Sequence, residues 1–281
     1  MIRIDAHHHV WRVSRGDYAW LTPDLPIHRD YTLNDLRPLL GDITATVLVQ
    51  AAPTEAETAF MLNVALDSAG LVSGIVGWTD LMHHDAPTRI AALANEKLIK
   101  GLRPMLQDIA DTDWILDMAV RPAIEAMVST GLRLDALVRP RHLPILTKLC
   151  ERHPELALVI DHAAKPAIAT DNWQPWADNI AIVARETPAL CKLSGLVTEA
   201  PPNWRVDDLR RYVDHLLVCF GPNRLMWGSD WPVVNLAGGY TRWRAVTMEL
   251  LDRMPLDAKD TILGGSALKF YGLSRGVQAN C

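Results

Sequence analysis

Short apolar runs alternate with longer stretches whose apolar residues recur every three to four positions, over most of the chain. The runs at 2–7, 45–50, 72–78, 98–103, 132–138, 157–161, 190–193 and 225–228 are predicted strands. Most are apolar at nearly every position rather than at every second one, as strands covered on both faces are. Between them, 55–69, 88–94, 116–129, 143–152, 176–186, 207–220 and 243–254 read as helices. In the first of these, Ala59, Leu62, Ala65, Leu66 and Ala69 fall at i, i+3 and i+4 spacing, which lines one helical face. Asp207 suits an N-cap, because its carboxylate accepts from free backbone N–H groups. Gly131 and Gly221 suit helix ends, where a positive φ is needed.

Eight strands alternating with helices imply a parallel sheet, and eight is the number that closes a (β/α)8 barrel. The expected fold is therefore α/β, a distorted (β/α)8 TIM barrel forming a single domain over 1–281. A doubly wound open sheet fits less well, since no Gly-rich dinucleotide turn follows the first strand. The segment 12–39 is polar and carries prolines, and reads as an irregular insertion placed to cover the barrel mouth.

Composition narrows the class of function. The formal net charge is −5 with no basic run, which argues against a nucleic-acid surface. No apolar run reaches the ~18 residues of a membrane span. Cys150, Cys191, Cys219 and Cys281 form no CxxC pair and no disulfide framework, so they read mainly as small core residues. A removable leader would take candidate site residues with it, and the cytoplasm is the expected compartment.

Candidate chemistry collects at the C-terminal ends of the strands, where barrel active sites lie. In Ile4-Asp5-Ala6-His7-His8-His9, residues two apart share a face, so His7 and His9 point together and His8 points away. Two imidazoles at a strand end hold a divalent metal or bracket a polar substrate. Asp230 follows the eighth strand between Gly228 and Pro232; it suits a base for an attacking water, a metal ligand, or an Asx-turn. His162 reads as a metal ligand, an oxyanion donor or a core histidine. Arg103 suits a substrate carboxylate or a carbonyl oxygen gaining charge, with a structural ion pair as the competing reading. Gln50, Trp78, Trp231 and Lys192 are candidates for the substrate wall, against packing for the tryptophans and ion pairing for Lys192 and the nearby Lys165. His83 and His84 read as solvent-exposed.

The fragments IDAHHHVW (4–11), VQAAPTEAETAFML (49–62), GLRPMLQD (101–108), DHAAKP (161–166), CKLSGLVTEA (191–200) and RLMWGSDWPV (224–233) together carry a resemblance. The chain resembles the amidohydrolase superfamily, in its amidohydrolase-2 branch of sugar lactonases of the L-fucono- and L-rhamnonolactonase type. The resemblance implies a distorted barrel and hydrolysis of an aldonolactone in carbohydrate catabolism. It places His7, His9, His162 and Asp230 at the active site as ligands of one divalent, zinc-like ion if a metal is used, and leaves a metal-independent site open. Relatives with two metals carry a bridging lysine on a middle strand; here the nearest, Lys100, lies inside its strand, and Pro104 stands where some relatives carry histidine. The implied chemistry is attack on the lactone carbonyl by water that gives its proton to Asp230, with the histidines stabilising the tetrahedral oxyanion. The alternatives are an aldarolactone or pyrone-dicarboxylate lactonase, a metal-dependent decarboxylase on the same barrel, and a binding protein with a structural metal. The expected partner is a small-molecule lactone, and the oligomeric state, monomer or homo-oligomer, is left open.

Overall fold

The structure is a computed structural model that describes residues 2–274. Strands β1 (Ile4–His8), β2 (Ala45–Val49), β3 (Val72–Gly77), β4 (Ile99–Leu102), β5 (Arg133–Ala136), β6 (Leu158–Ile160), β7 (Leu190–Leu193) and β8 (Leu225–Trp227) pair in sequential order in one sheet. Every neighbouring pair is parallel. Seven crossover helices follow β2 to β8: α1 (Glu55–Leu66), α2 (Ala86–Ala94), α3 (Arg121–Thr130), α4 (Leu143–Arg152), α5 (Trp176–Glu186), α6 (Val206–Phe220) and α7 (Tyr240–Leu250). The barrel expectation holds, with strands shorter at their ends than the apolar runs.

The sheet closes on itself above β1 and β8. His8 bridges Trp231, the His9 N–H donates to the Trp231 carbonyl at 2.6 Å, and the Asp230 N–H donates to the His7 carbonyl at 2.8 Å. Asp5 Oδ1 reinforces this seam by accepting the N–H groups of both His7 (3.2 Å) and Ser229 (2.8 Å). Burial lifts the Asp5 carboxyl to about 6 against these hydrogen bonds. The two segments that carry His7, His9 and Asp230 are thus the ones that shut the barrel.

Inside the barrel, Ile4, Ala6, Val47, Val49, Val159 and Met226 form an apolar floor. A last helix, α8 (Ser266–Tyr271), closes it from below, and the Tyr271 ring belongs to the same cluster. This C-terminal region was not anticipated from the sequence. It contains a helical turn at Leu256–Asp260 and a π-helical stretch at Thr261–Gly265.

The insertion takes the place of a crossover helix between β1 and β2, with only single turns at Val13–Arg15, Leu33–Leu36 and Arg37–Leu39. It is fastened rather than loose. Trp20 Nε1–H donates to the Ala51 carbonyl (2.7 Å), Tyr18 Oη–H donates to Glu57 Oε2 (2.6 Å), and Tyr31 stacks edge-on against Trp231 at 5.3 Å. These contacts lay it over the C-terminal ends of β2 and β8, at the mouth.

Local boundaries differ from the sequence reading for identifiable reasons. The span 116–129 divides into a 3-10 turn at Trp114–Leu116 and a helix that starts at Arg121, where Pro122 in the first turn costs no hydrogen bond. Asp207 is not the N-cap: Arg205 is, and the Asp208 carboxylate accepts its N–H at 2.6 Å. Gly131 and Gly221 end their helices at φ +73° and +63°. Cys150 and Cys191 are buried and Cys219 is partly so, while Cys281 lies outside the described residues. No described helix is long and apolar enough to cross a membrane.

Candidate active site

Strand β1 shifts register between Asp5 and His8, and from His7 to His9 the side chains alternate. His7 is fully buried inside the barrel, and His9 stands at the rim at 3% exposure. His8 turns the other way and meets Thr46 Oγ1 at 2.9 Å. The His7 and His9 Nε2 atoms lie 3.3 Å apart. Asp230 Oδ1 is 3.3 Å from His9 Nε2, 3.8 Å from His7 Nε2 and 3.8 Å from His162 Nε2. The four residues singled out in the sequence therefore converge on one carboxylate oxygen.

His162 reaches this point through an unusual turn. His162, Ala163, Ala164 and Lys165 all have φ between +50° and +61°, a left-handed conformation that costs L-residues roughly 1–2 kcal/mol each. The turn is held by Trp176 Nε1–H donating to the Ala163 carbonyl at 2.7 Å and by Ser194 Oγ at 2.9 Å from His162 Nδ1. Two glycines make room for the rings. A Cβ on Gly195, itself at φ +63°, would lie 2.6 Å from His162 Cγ, and one on Gly228 would lie 2.6 Å from His7 Cβ. Nothing in the hydrophobic pattern marks these two positions as supports for histidines.

Burial sets the charges. It pushes the His162 imidazole down to about 4 and His7 and His9 below their ordinary value, so all three are neutral at neutral pH. Burial alone would raise Asp230, but the polar rings of His162, His9 and His7 around it outweigh burial and hold the carboxyl far below its usual range. The site at neutral pH is one carboxylate among three neutral imidazoles.

Hydrogen-bond directions sharpen this. His9 Nδ1 lies 2.7 Å from the Val49 carbonyl, an acceptor only, so Nδ1 carries the proton and Nε2 is a bare lone pair. That lone pair faces the anionic Asp230 oxygen at 3.3 Å with no hydrogen of its own to offer. Such an arrangement calls for a cation. A tetrahedral metal with ligands at ~2.0–2.1 Å has donor-to-donor edges of about 3.3–3.4 Å, close to the 3.3 to 3.8 Å separations found here. His7, His9 and Asp230 form one set able to hold a metal, and His7, Asp161 and His162 another.

The remaining candidates are placed differently. Arg103 is 3% exposed; its guanidinium is held by Asp161 Oδ2 (3.3 Å) and the Gln50 carbonyl, and its Nη1 also lies 3.4 Å from His7 Nε2. Gln50 donates through Nε2 to the Arg103 carbonyl at 2.8 Å, locking β2 to β4. Trp78 is half-buried at the end of β3, with both its backbone groups tied to Thr58 Oγ1. Two expectations for the substrate wall need correction. Trp231 is 1% exposed and packs against Tyr31, so it joins the insertion to the barrel. Lys192 is fully buried beneath the histidines, between Asp135 (2.5 Å) and Asp161 (3.0 Å), because its strand side chain points into the barrel rather than up to its mouth.

Sequence reading missed Asp135 and gave Asp161, at the end of the sixth apolar run, no role. Asp161 directly precedes His162, and Asp135 is a carboxylate in the apolar run LDALV. A buried acid requires a partner, and the lysine in β7 was the available one. His84 is exposed and His83 one-third exposed, and their cluster with Asp85 stands apart from this site. A cleft of about 240 Å³ opens between the insertion and α1, lined by Val10, Arg12, Tyr31, Asn34, Arg37 and Phe60 among others, and its lining contains no histidine.

Known proteins match over almost the whole chain. The amidohydrolase family model (Amidohydro_2) matches residues 4–273. An L-fucono-1,5-lactonase from Burkholderia ambifaria is 44% identical over 280 residues, covering 97% of this chain and 96% of that protein. A second L-fucono-1,5-lactonase, from Burkholderia multivorans, is 36% identical over 295 residues, covering 99% and 98%. A crystal structure of an amidohydrolase from Burkholderia multivorans with bound zinc superposes with a TM-score of 0.91 at 35% identity, over 98% of this chain and all of that one. On the fold, the histidine and aspartate constellation and these matches, the chain belongs to the amidohydrolase family.

Proposed function

We propose that this chain is a lactonase that opens the ring of a neutral sugar-acid lactone, with L-fucono-1,5-lactone as the representative substrate. The observation that carries the reading is the anionic Asp230 set among three neutral histidines at the barrel mouth. The naming of two full-length relatives as L-fucono-1,5-lactonases supports the substrate class.

The roles follow from position and charge. His9, His162 and Asp230 are each 3–4% exposed and border the mouth, whereas His7 lies fully buried behind them. A lactone carbonyl entering from the mouth meets the first three. Asp230 accepts the proton of the attacking water. Its low basicity means that the proton moves as the C–O bond forms rather than beforehand. The tetrahedral intermediate then expels the ring oxygen, which takes the proton back from Asp230, so the carboxylate is restored. His7, His9, His162 and Asp230 would hold a divalent ion, which when bound polarises the carbonyl and stabilises charge on its oxygen.

The cations around the site bear on the choice of lactone. Arg103 and Lys192 are committed to Asp161 and Asp135, and Lys165 lies 3.9 Å from Glu199. A dicarboxylate substrate needs a cation for its second carboxylate, so these pairings favour a neutral aldonolactone. A panel of aldono-, aldaro- and pyrone-dicarboxylate lactones followed by proton release tests the reading. Turnover should be largest on the aldonolactones, and turnover confined to the dicarboxylates would overturn it.

A further inference from the structure

Two cations from neighbouring loops act on one carboxylate at the C-terminal end of the barrel. Arg139 follows β5, Lys165 follows β6 and Glu199 follows β7, at the end where barrel sites form. The Lys165 N–H donates to the His162 carbonyl at 2.8 Å and closes the left-handed turn. The Glu199 carbonyl accepts the Ala169 N–H at 2.8 Å, which ties the loop after β7 to the loop after β6. Burial raises the Glu199 carboxyl above its ordinary value, Lys165 and Arg139 oppose this, and Asp230 adds to it. Glu199 therefore stands within Coulombic reach of Asp230, the proposed proton acceptor.

Lys165 Nζ lies 3.9 Å from Glu199 Oε1, and the two side chains are 21% and 24% exposed. At that distance the heads attract but share no hydrogen bond. The ammonium keeps donors, and the carboxylate keeps acceptors, for a ligand. We propose that Lys165 and Glu199 are a specificity pair that binds hydroxyls of the lactone ring and turns away a second carboxylate. The ammonium donates to one hydroxyl oxygen, and the carboxylate accepts the hydrogen of another. A polyol satisfies both heads at once. A ligand carboxylate meets Lys165 only in the presence of Glu199, whose repulsion offsets that attraction.

The other ion pairs near the site differ from this one. Arg103 with Asp161 and Lys192 with Asp135 and Asp161 are buried at 3.3 Å or less, so a ligand does not reach between them. Lys165 and Glu199 are wider apart and open to solvent. Their two charges make opposite predictions. Glu199→Gln leaves Lys165 and Arg139 without their carboxylate and turns the place into a cation site for a second carboxylate. Lys165→Met leaves the Glu199 charge unopposed, and a second carboxylate is repelled more strongly. Methionine keeps the Cβ of lysine, so the backbone at φ +52° is under the same strain in the variant.

This inference rests on the lactonase reading and deepens it. Its test is kcat/KM on L-fucono-1,5-lactone and on an aldarolactone, for the wild type, Glu199→Gln and Lys165→Met. Glu199→Gln should raise the aldarolactone-to-aldonolactone ratio by about 10–100-fold, the range of a contact to a charged group, and Lys165→Met should lower it. On L-fucono-1,5-lactone both variants should raise KM more than they lower kcat. A pair with a role in structure alone would slow both lactones in parallel, and an unmoved ratio would overturn the proposal. Calorimetric binding of the ring-opened acids, an aldonate and an aldarate, needs no turnover. Glu199→Gln should tighten the aldarate more than the aldonate. Equal changes, or no measurable aldarate binding by Glu199→Gln, would overturn the proposal. Failure of the wild type to open L-fucono-1,5-lactone, with these affinity shifts intact, would instead count against the substrate reading.

Discussion

His9 Nε2 lies 3.3 Å from Asp230 Oδ1, joining the first strand of the barrel to the turn after the eighth across 221 positions of sequence. The contact sits directly above the backbone seam, where His9 and Asp230 also donate their N–H groups to Trp231 and His7. Closure of the barrel and assembly of the site are therefore one event. Any change that loosens the seam should separate the two side chains before it unfolds the rest.

Asp5 offers the cleanest probe of that coupling. Its Oδ1 accepts from His7 and Ser229 together. In Asp5→Ala, two buried N–H groups lose their acceptor, at roughly 1–3 kcal/mol each. Thermal unfolding should show a drop of that order, and kcat should fall further than the stability change explains. Unchanged kcat in a protein that is merely less stable would show that the seam does not position the site.

Gly195 supports His162 from the side. Alanine there meets both the ring, at 2.6 Å, and a φ of +63°. Gly195→Ala should lower kcat by at least tenfold, with a stability loss of about 1–2 kcal/mol from the backbone alone. A variant with normal kinetics would mean that His162 tolerates displacement and does not act on the substrate.

Glu57 predicts a pH dependence away from the chemistry. Burial raises its carboxyl to about 7 even though Tyr18 and the Ala51 N–H donate to it. Between pH 4.5 and 7 the unfolded chain releases this proton while the folded chain keeps it. Wild-type stability should therefore lose about 3 kcal/mol from this group as pH rises through that window, and stay level above it. Glu57→Gln lacks the titration, so its stability relative to wild type should improve from pH 5 to pH 8. Parallel unfolding curves at the two values would contradict the assignment.

The ligand set makes its own prediction. His9→Ala removes the lone pair that faces Asp230, and zinc binding measured by equilibrium dialysis should fall by several orders of magnitude. A stoichiometric, tight zinc in His9→Ala would place the metal elsewhere, for example with His83, His84 and Asp85.

Much of this was legible in the chain because the signals were local. Period two in β1 separates His7 and His9 from His8, and eight apolar runs are enough to suggest a barrel. Asp230 alone reads equally as an Asx-turn, and it stood out because His7, His9 and His162 end at the same barrel mouth. Lys192 was misplaced for a physical reason: a strand buried on both faces gives no sign of which side chains point inward, so a lysine beneath the site looks like one above it. Its partner Asp135 lies two strands away in space and 57 positions away in sequence. The left-handed turn from His162 to Lys165 was hidden because DHAAKP contains no glycine to announce it. The α8 plug was hidden because its apolar stretch is short and its Tyr271 hydroxyl answers a carboxylate that only the fold brings near.

The most direct test of the central claim is the initial rate of L-fucono-1,5-lactone opening, read by proton release, for the wild type and Asp230→Asn side by side with their unfolding curves. Rapid opening by the wild type, with a loss of several orders of magnitude in kcat for a variant that still folds, is the predicted result. Near-normal turnover by Asp230→Asn, or no opening of the lactone by the folded wild type, would contradict it.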